Sequence, residues 1–520
     1  MPLVAPDLLT LVRRACADRG ALPFLQVGAE VETAAAFCAN VEAVALGLLA
    51  AGLRQGDRVA ILLERSTAEA AVLLAVAVAG GLAVPIHSRL KDAQIAHVLA
   101  DCAPFAVVTS RVRAVALHDA ASTLAGHRIF GVDESVPNLA TELLPRATGG
   151  TLPTPSSSLP AVLLYTSGST GRQKGIVQDH HNLALGAAIV ADYLALTPDD
   201  HILALLPFSF DYGLNQLLSS LHAGCRVTAA DHLGVGELAV LLRQHRPTGL
   251  AGVPSLWHEV ASGLTTGSLR PDDGASLRYV TNSGGALRVA DSRVVRQHWP
   301  QAQVFAMYGL TEAFRSAFLP PAEFDAFPQS FGRALPGVEL LLVDAATGGV
   351  INGPGTGELV HAGALVAQGY WRRPEDTTRR FRPDPRGTGQ LVVYSGDLVT
   401  RDAAGRHSFV ARTDRLLKVQ GHRVSPDEVA AAVAGQPGVG EVAVFGLDGG
   451  ADGHRIVLCV AGDPLDSTLL ARLQRRCRAQ LPSYMQPAAL RVVAALPHNS
   501  NGKIDEAALR SLIGPCIDKS

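Results

Sequence analysis

The chain has 520 residues, of which 48% are hydrophobic, 18% charged and 51 glycine; this length predicts two or three domains, each with its own core, and the composition excludes a disordered or fibrous chain. A formal net charge of -2, with no block of like charge, offers no electrostatic footprint for nucleic acid or an anionic membrane, which leaves small molecules and other proteins as the expected partners. An aromatic content of 5% argues against an all-β binding module.

The first twenty residues, "MPLVAPDLLTLVRRACADRG", lack the charged start, apolar centre and small-residue cleavage site of a signal peptide and read as a short amphipathic helix. From Arg54 onward, apolar runs such as "RVAILL" and "FAVVTS" alternate with Ala-rich stretches of helical spacing, the pattern of βα units in a doubly wound, mostly parallel α/β sheet. The longest apolar run, Ala70 to Ile86, falls short of the ~20 residues of a spanning helix and is broken by Gly80-Gly81 and Pro85. It predicts a buried helix, a turn and a short strand, and no membrane insertion. "TLPTPSSSLP" at 151–160 is a connector into the strand "AVLLYTSGSTG", which places a glycine-rich turn at a strand end.

Beyond about Ser408 the texture changes. "FVARTDRLLKVQG" predicts a hairpin, "SPDEVAAAV" a capped helix, "EVAVFGL" and "RIVLCV" strands, and "LARLQRRCRAQL" a helix. This predicts a large N-terminal domain over 1–411 and a small mobile α/β domain over 412–520. Seven cysteines, odd in number and never C-x-x-C, predict buried free thiols in a reducing, cytoplasmic setting and no cysteine-built metal site.

"LLYTSGSTGRQKG", Leu163 to Gly175, holds six consecutive Gly, Ser or Thr residues and then Lys174. Such a loop suits phosphate, bound through backbone N–H groups, hydroxyls and one ammonium. Gly175 follows the lysine where a Walker A loop needs Ser or Thr, and the loop is not the G-x-G-x-x-G of dinucleotide sites. Only five of the 45 basic residues are lysine, and Lys174, Lys418 and Lys503 all lie in glycine-bearing segments. A chain that otherwise uses arginine has kept a compact point charge there.

"LLYTSGSTGRQKG", "MYGLTEAF", "GELVHAGALVAQGYW", "YSGDLVTRDAAGRHSFVARTDRLLKVQGHRVSPDE" and "LPHNSNGKID" together resemble, in order and spacing, the core motifs of the adenylate-forming superfamily. Its members are acyl-CoA synthetases, luciferases and nonribosomal peptide synthetase adenylation domains, and the resemblance covers about residues 25 to 510. It implies attack of a carboxylate on the α-phosphorus of ATP, release of pyrophosphate, and transfer of the acyl group to a thiol. By the same resemblance Thr166, Ser167, Gly168, Ser169, Thr170, Gly171 and Lys174 wrap the β- and γ-phosphates. Ser283, Gly284, Gly285 and Ala286, with Met307, Tyr308 and Gly309, border the adenine, and Asp397 and Arg412 hold the ribose. Thr311 contacts the α-phosphate and Glu312 holds Mg²⁺, against the alternative that Glu312 caps a helix start. Lys503 is implied as the adenylation lysine, Asp414 as the hinge of the small domain and Gly421 as part of the thiol tunnel. Ala306 departs from relatives that place an amide residue against adenine.

Asp211 matches the position at which peptide-synthetase domains bind a substrate ammonium; the alternative is an N-cap of a helix starting at Tyr212. The remaining implied pocket, Tyr212, Asn215, Thr281, Ser283, Met307, Arg315 and Ser316, is polar and poorly suited to a long acyl chain. Arg315 either binds a second carboxylate or polar tail of the substrate, or neutralises Asp211. The chain ends shortly after Lys503, so the expected thiol acceptor is a separate carrier protein or CoA. Two activities stand at this point: ligation of a small polar amino acid to a carrier protein, and an acyl-CoA or acyl-ACP synthetase acting on a non-amino acid.

Overall fold

A computed structural model describes residues 7–110, 113, 128–132, 150–167, 173–231, 234–344, 346–412, 417–424, 426–450, 453–497, 504 and 506–513. They fall into two compact units, one drawn from 1–88, 95–166 and 174–413, the other from 89–94, 167–173 and 414–520.

The larger unit contains two sheets. One runs in the order Ile129–Val132, Ala106–Ser110, Arg58–Leu62, Leu82–Pro85, Pro160–Ser167 and Gln173–Asp179, and its first five strands are parallel. The second carries six parallel strands in the order Pro23–Val27, Arg226–Ala229, His201–Ala204, Gly249–Gly252, Tyr279–Asn282 and Gln303–Tyr308. Leu82–Pro85, Gly249–Gly252 and Tyr279–Asn282 bury every residue, as strands covered on both faces must. Several helices begin where a short polar side chain caps the first turn. Ser66 Oγ accepts from the Glu69 N–H at the start of Thr67–Val78, and Asp179 and Asn182 form a capping box at the start of His180–Tyr193. The N-terminal helix, Leu8–Arg19, buries Leu8, Leu11, Val12 and Ala15 along one face. Ala70–Ile86 forms the end of Thr67–Val78, the turn and the strand Leu82–Pro85 that its sequence predicts. No helix of the described residues is long and apolar enough to cross a membrane.

After Tyr308 the mostly parallel expectation fails. The second sheet continues through Ala317–Leu319 and Ser330–Ala334 into His407–Arg412, Leu391–Arg401, Gly355–Gly363 and Val338–Val343, all antiparallel to their neighbours. A tight turn at Asp402–Arg406 joins two of these strands, and so short a connection permits only antiparallel pairing. "FVAR" therefore closes against Leu391–Arg401 instead of opening the expected hairpin; the hairpin is Leu417–Val419 with His422–Val424.

The smaller unit holds that hairpin, the helix Pro426–Ala431 and a sheet in which His454–Ala461 pairs antiparallel with Val442–Asp448 and parallel with Ala489–Val493. The helix Ser467–Gln480, capped by Asp466, buries Leu469, Leu473 and Cys477 at spacings of four. Among the described cysteines, Cys38, Cys102, Cys225, Cys459 and Cys477 are buried free thiols and Cys16 is half-buried.

Glu32 and Glu69 are buried acids of the larger unit. Burial pushes the Glu69 carboxyl up to about 8 and the Glu32 carboxyl up to about 7, against 4.5 for a free glutamate. The folded chain thus binds these protons more tightly than the unfolded chain, so their contribution to stability is complete below about pH 4.5 and is lost as pH rises through 7 to 8. Glu69→Gln should raise Tm at pH 8.5 and leave it nearly unchanged at pH 4.5; a Tm difference independent of pH would contradict this reading.

Candidate active site

The helix Asp211–Ala223 follows the strand His201–Ala204, and its N-cap is Phe210, without a side-chain capping bond. Asp211 is the first helical residue. Its carboxylate, 5% exposed, accepts a hydrogen bond of 2.9 Å from Thr311 Oγ1. The capping role is therefore not what Asp211 does, and the structure joins the "FDYG" and "GLTE" segments at this bond. Thr311 begins a single 3-10 turn, Thr311–Ala313, after which Phe314 adopts φ 32 and Arg315 turns back toward the helix. Arg315 donates to the main-chain oxygens of Phe314 (2.9 Å) and Asp211 (3.3 Å), and its guanidinium lies over the rings of Tyr212 and Phe314. It forms no ion pair with Asp211. Tyr212 Oη and Thr281 Oγ1 are hydrogen-bonded. Asn215 lies one turn along the same helix face as Asp211, and Ser316 is fully buried.

Glu312 is buried, so it does not cap an exposed helix start; its Oε1 accepts from Tyr370 Oη at 2.7 Å. Lys174 Nζ sits 5.5 Å from the centre of the same tyrosine ring and is ion-paired at 3.0 Å with Asp376. Tyr370 thus links the end of the glycine-rich segment to "GLTE". Sequence reasoning missed it, although "GYW" closes one of the motifs. It also missed Tyr193, whose hydroxyl donates to Met307 Sδ at 2.8 Å and whose ring stacks on Phe318.

Tyr308 ends the strand Gln303–Tyr308; its hydroxyl donates to Asp397, and its ring stacks on Phe331 at 4.4 Å between centroids. Asp397 is fully buried and opposite Arg412 in the antiparallel register. Strand pairing thus sets Asp397 opposite Arg412, and the hydroxyl bond joins Tyr308 to Asp397. In "SGG", Gly284 has φ 80, a left-handed conformation that glycine adopts without penalty, and Gly285 rests against the ring of Pro254. Ser283 is buried, Gly309 half-buried and Ala286 exposed. Thr166 and Ser167 end the strand Pro160–Ser167, and Gly421, with φ 80, turns the hairpin of the smaller unit. Gly168, Ser169, Thr170, Gly171, Asp414 and Lys503 lie outside the described residues.

The AMP-binding enzyme family matches residues 12–371, and the AMP-binding enzyme C-terminal domain matches 428–503. An L-proline–[L-prolyl-carrier protein] ligase of Streptomyces coelicolor is 31% identical, over 97% of this chain and 96% of that protein. A probable non-canonical nonribosomal peptide synthetase, CymA, of Salinispora arenicola is 32% identical over 91% of this chain, which spans only 6% of that protein. The amide bond synthetase McbA of Marinactinospora thermotolerans shares the fold, with a TM-score of 0.85 at 22% identity over 96% of this chain and 99% of that one. The chain belongs to the AMP-binding enzyme family and is an AMP-forming ligase that uses ATP.

Proposed function

We propose that the chain activates a small polar amino acid and loads it onto the phosphopantetheine thiol of a separate carrier protein. In the first half-reaction a carboxylate oxygen bonds to the α-phosphorus of ATP as the bond to the bridging oxygen breaks and pyrophosphate leaves. In the second the thiol gives up its proton, its sulfur bonds to the acyl carbon, and AMP leaves. Both steps depend on positioning and charge neutralisation more than on a protein nucleophile.

The observation that carries this reading is the buried Asp211 carboxylate, hydrogen-bonded to Thr311 instead of capping its helix. It suits an ammonium beside the reacting carboxylate. The full-length likeness to a prolyl-carrier protein ligase supports the same class of substrate and acceptor. In this scheme Thr166 to Gly171 and Lys174 hold the β- and γ-phosphates, Ser283 to Ala286 and Met307 to Gly309 border the adenine, and Asp397 and Arg412 take the ribose hydroxyls. The Tyr308 hydroxyl fixes the Asp397 carboxylate for that task. One buried carboxylate, Glu312, with a hydroxyl-bearing neighbour fits Mg²⁺, which favours oxygen ligands and commonly takes one or two carboxylates plus substrate phosphates. When bound there, Mg²⁺ would neutralise phosphate charge. Lys503 bridges the carboxylate and the α-phosphate, the 412–520 domain turns about Asp414 between the half-reactions, and Gly421 lines the thiol's path.

Pyrophosphate exchange with a panel of amino acids and their deamino analogues tests the class: exchange should require the ammonium, and deamino acids exchanging equally well would return the acyl-CoA or acyl-ACP synthetase reading. Lys503→Ala should lower exchange by ~10³-fold, the scale of losing a preorganised charge; retained exchange would remove Lys503 from the chemistry. Asp414→Pro should spare exchange and depress thioester formation, measured separately, because proline fixes φ at the hinge. If both fall together while the thermal melt is unchanged, the hinge is elsewhere.

The approach of Gly186 to Phe314 provides a further check. A Cβ on Gly186 would lie 2.5 Å from the Phe314 ring, which is fully buried between Glu312 and Arg315 in sequence. Gly186→Ala should therefore shift that turn and cut exchange by ~10-fold or more, since displacements near 1 Å already carry such costs. Undiminished exchange would show that the turn is not held by this contact.

A further inference from the structure

The acid pocket contains more hydrogen-bond donors than the protein satisfies. Arg315 is 3% exposed, yet among the described residues no carboxylate pairs with it, and its Nε has no partner. Its other nitrogens reach only main-chain oxygens. Asn215 is 2% exposed; its Oδ1 accepts from Ser219 Oγ, while its Nδ2 has no partner. Stranding buried donors is costly, and a buried guanidinium without an anion more so. The bland outlet, an ion pair with Asp211, is not taken: the guanidinium contacts that residue through its backbone.

From this we infer that the chain's substrate is a short amino dicarboxylic acid, whose ammonium meets Asp211 and whose second carboxylate meets Arg315 and Asn215. The inference rests on the amino-acid reading above and adds the side chain. The chemistry of the unsatisfied groups selects an acceptor-rich ligand, and the guanidinium selects an anion with two coplanar oxygens. The geometry limits the length. Arg315 bonds the backbone of Asp211 itself, and Asn215 follows Asp211 by one helical turn, so the ammonium site and the anion site are near neighbours. The guanidinium is also held in place, between the rings of Tyr212 and Phe314, with Tyr212 tied to Thr281. A long side chain would overshoot it.

The test uses the full chain in pyrophosphate exchange with L-aspartate, L-asparagine, L-glutamate, L-alanine, L-proline and succinate. Aspartate should exceed asparagine, its uncharged isostere, by about 100-fold in kcat/KM, the scale of one charge-assisted contact. Arg315→Gln should erase that ratio, and Arg315→Lys should keep aspartate preferred at lower kcat/KM. A preference of the unaltered chain for alanine or proline overturns this inference and leaves the amino-acid reading intact, whatever the variants' folding. Succinate outrunning every amino acid overturns both. Arg315→Gln lowering all amino acids alike, with the aspartate-to-asparagine ratio preserved, overturns the assignment of Arg315.

Discussion

The candidate site is organised by a burial constraint: a carboxylate and a guanidinium, Asp211 and Arg315, are withdrawn from water beside each other without forming an ion pair. Desolvating both charges opposes folding, and direct pairing would be the simplest compensation. Instead Asp211 takes the Thr311 hydroxyl, and Arg315 takes two main-chain oxygens and two aromatic faces. The Thr311 hydroxyl and the main-chain oxygens position these two groups beside each other without an ion pair between them. The turn through Phe314, at φ 32, is part of the same arrangement, because it carries Arg315 back over Tyr212.

Several of the other candidate residues lie at strand ends. Thr281 and Asn282 end one parallel strand, Tyr308 ends the next, and Ser167 ends a strand of the other sheet. In open α/β sheets the carboxyl ends of strands are where ligands bind, since loops leave there with their backbone groups exposed. The antiparallel extension adds what the parallel strands cannot: it brings Asp397 and Arg412 into register and sets the Asp397 carboxylate against the Tyr308 hydroxyl. Tyr370, from the segment between two of those antiparallel strands, completes the link to Glu312 and Lys174.

Much of this was legible in the sequence, for identifiable reasons. Ala70–Ile86 declared itself by length, its Gly-Gly break and Pro85, and the glycine-rich loop by composition. The antiparallel region was not legible as such, because its strands lack a clean alternation: Val338–Val343 carries a buried apolar run like that of a parallel strand, and Leu391–Arg401 buries residues irregularly along its length. "FVARTDRLLKVQG" looked like one hairpin because both halves favour strands, and only the Asp402–Arg406 turn decides that the first half pairs backward. Asp211 presented two readings in sequence, since an aspartate before a helix is ordinarily a cap. One residue of difference in where the helix starts separates them. Tyr193 and Tyr370 act through hydroxyl contacts to residues more than fifty positions away, which no local pattern encodes.

The most direct measurement is the affinity of an aminoacyl-sulfamoyl adenosine, a stable mimic of the aminoacyl adenylate, against that of its deamino counterpart, by calorimetry on the full chain. If Asp211 is an ammonium site, the amino compound should bind about 100-fold more tightly, and Asp211→Asn should bring the two affinities together. Equal Kd values for the two compounds in the unaltered protein would contradict the account.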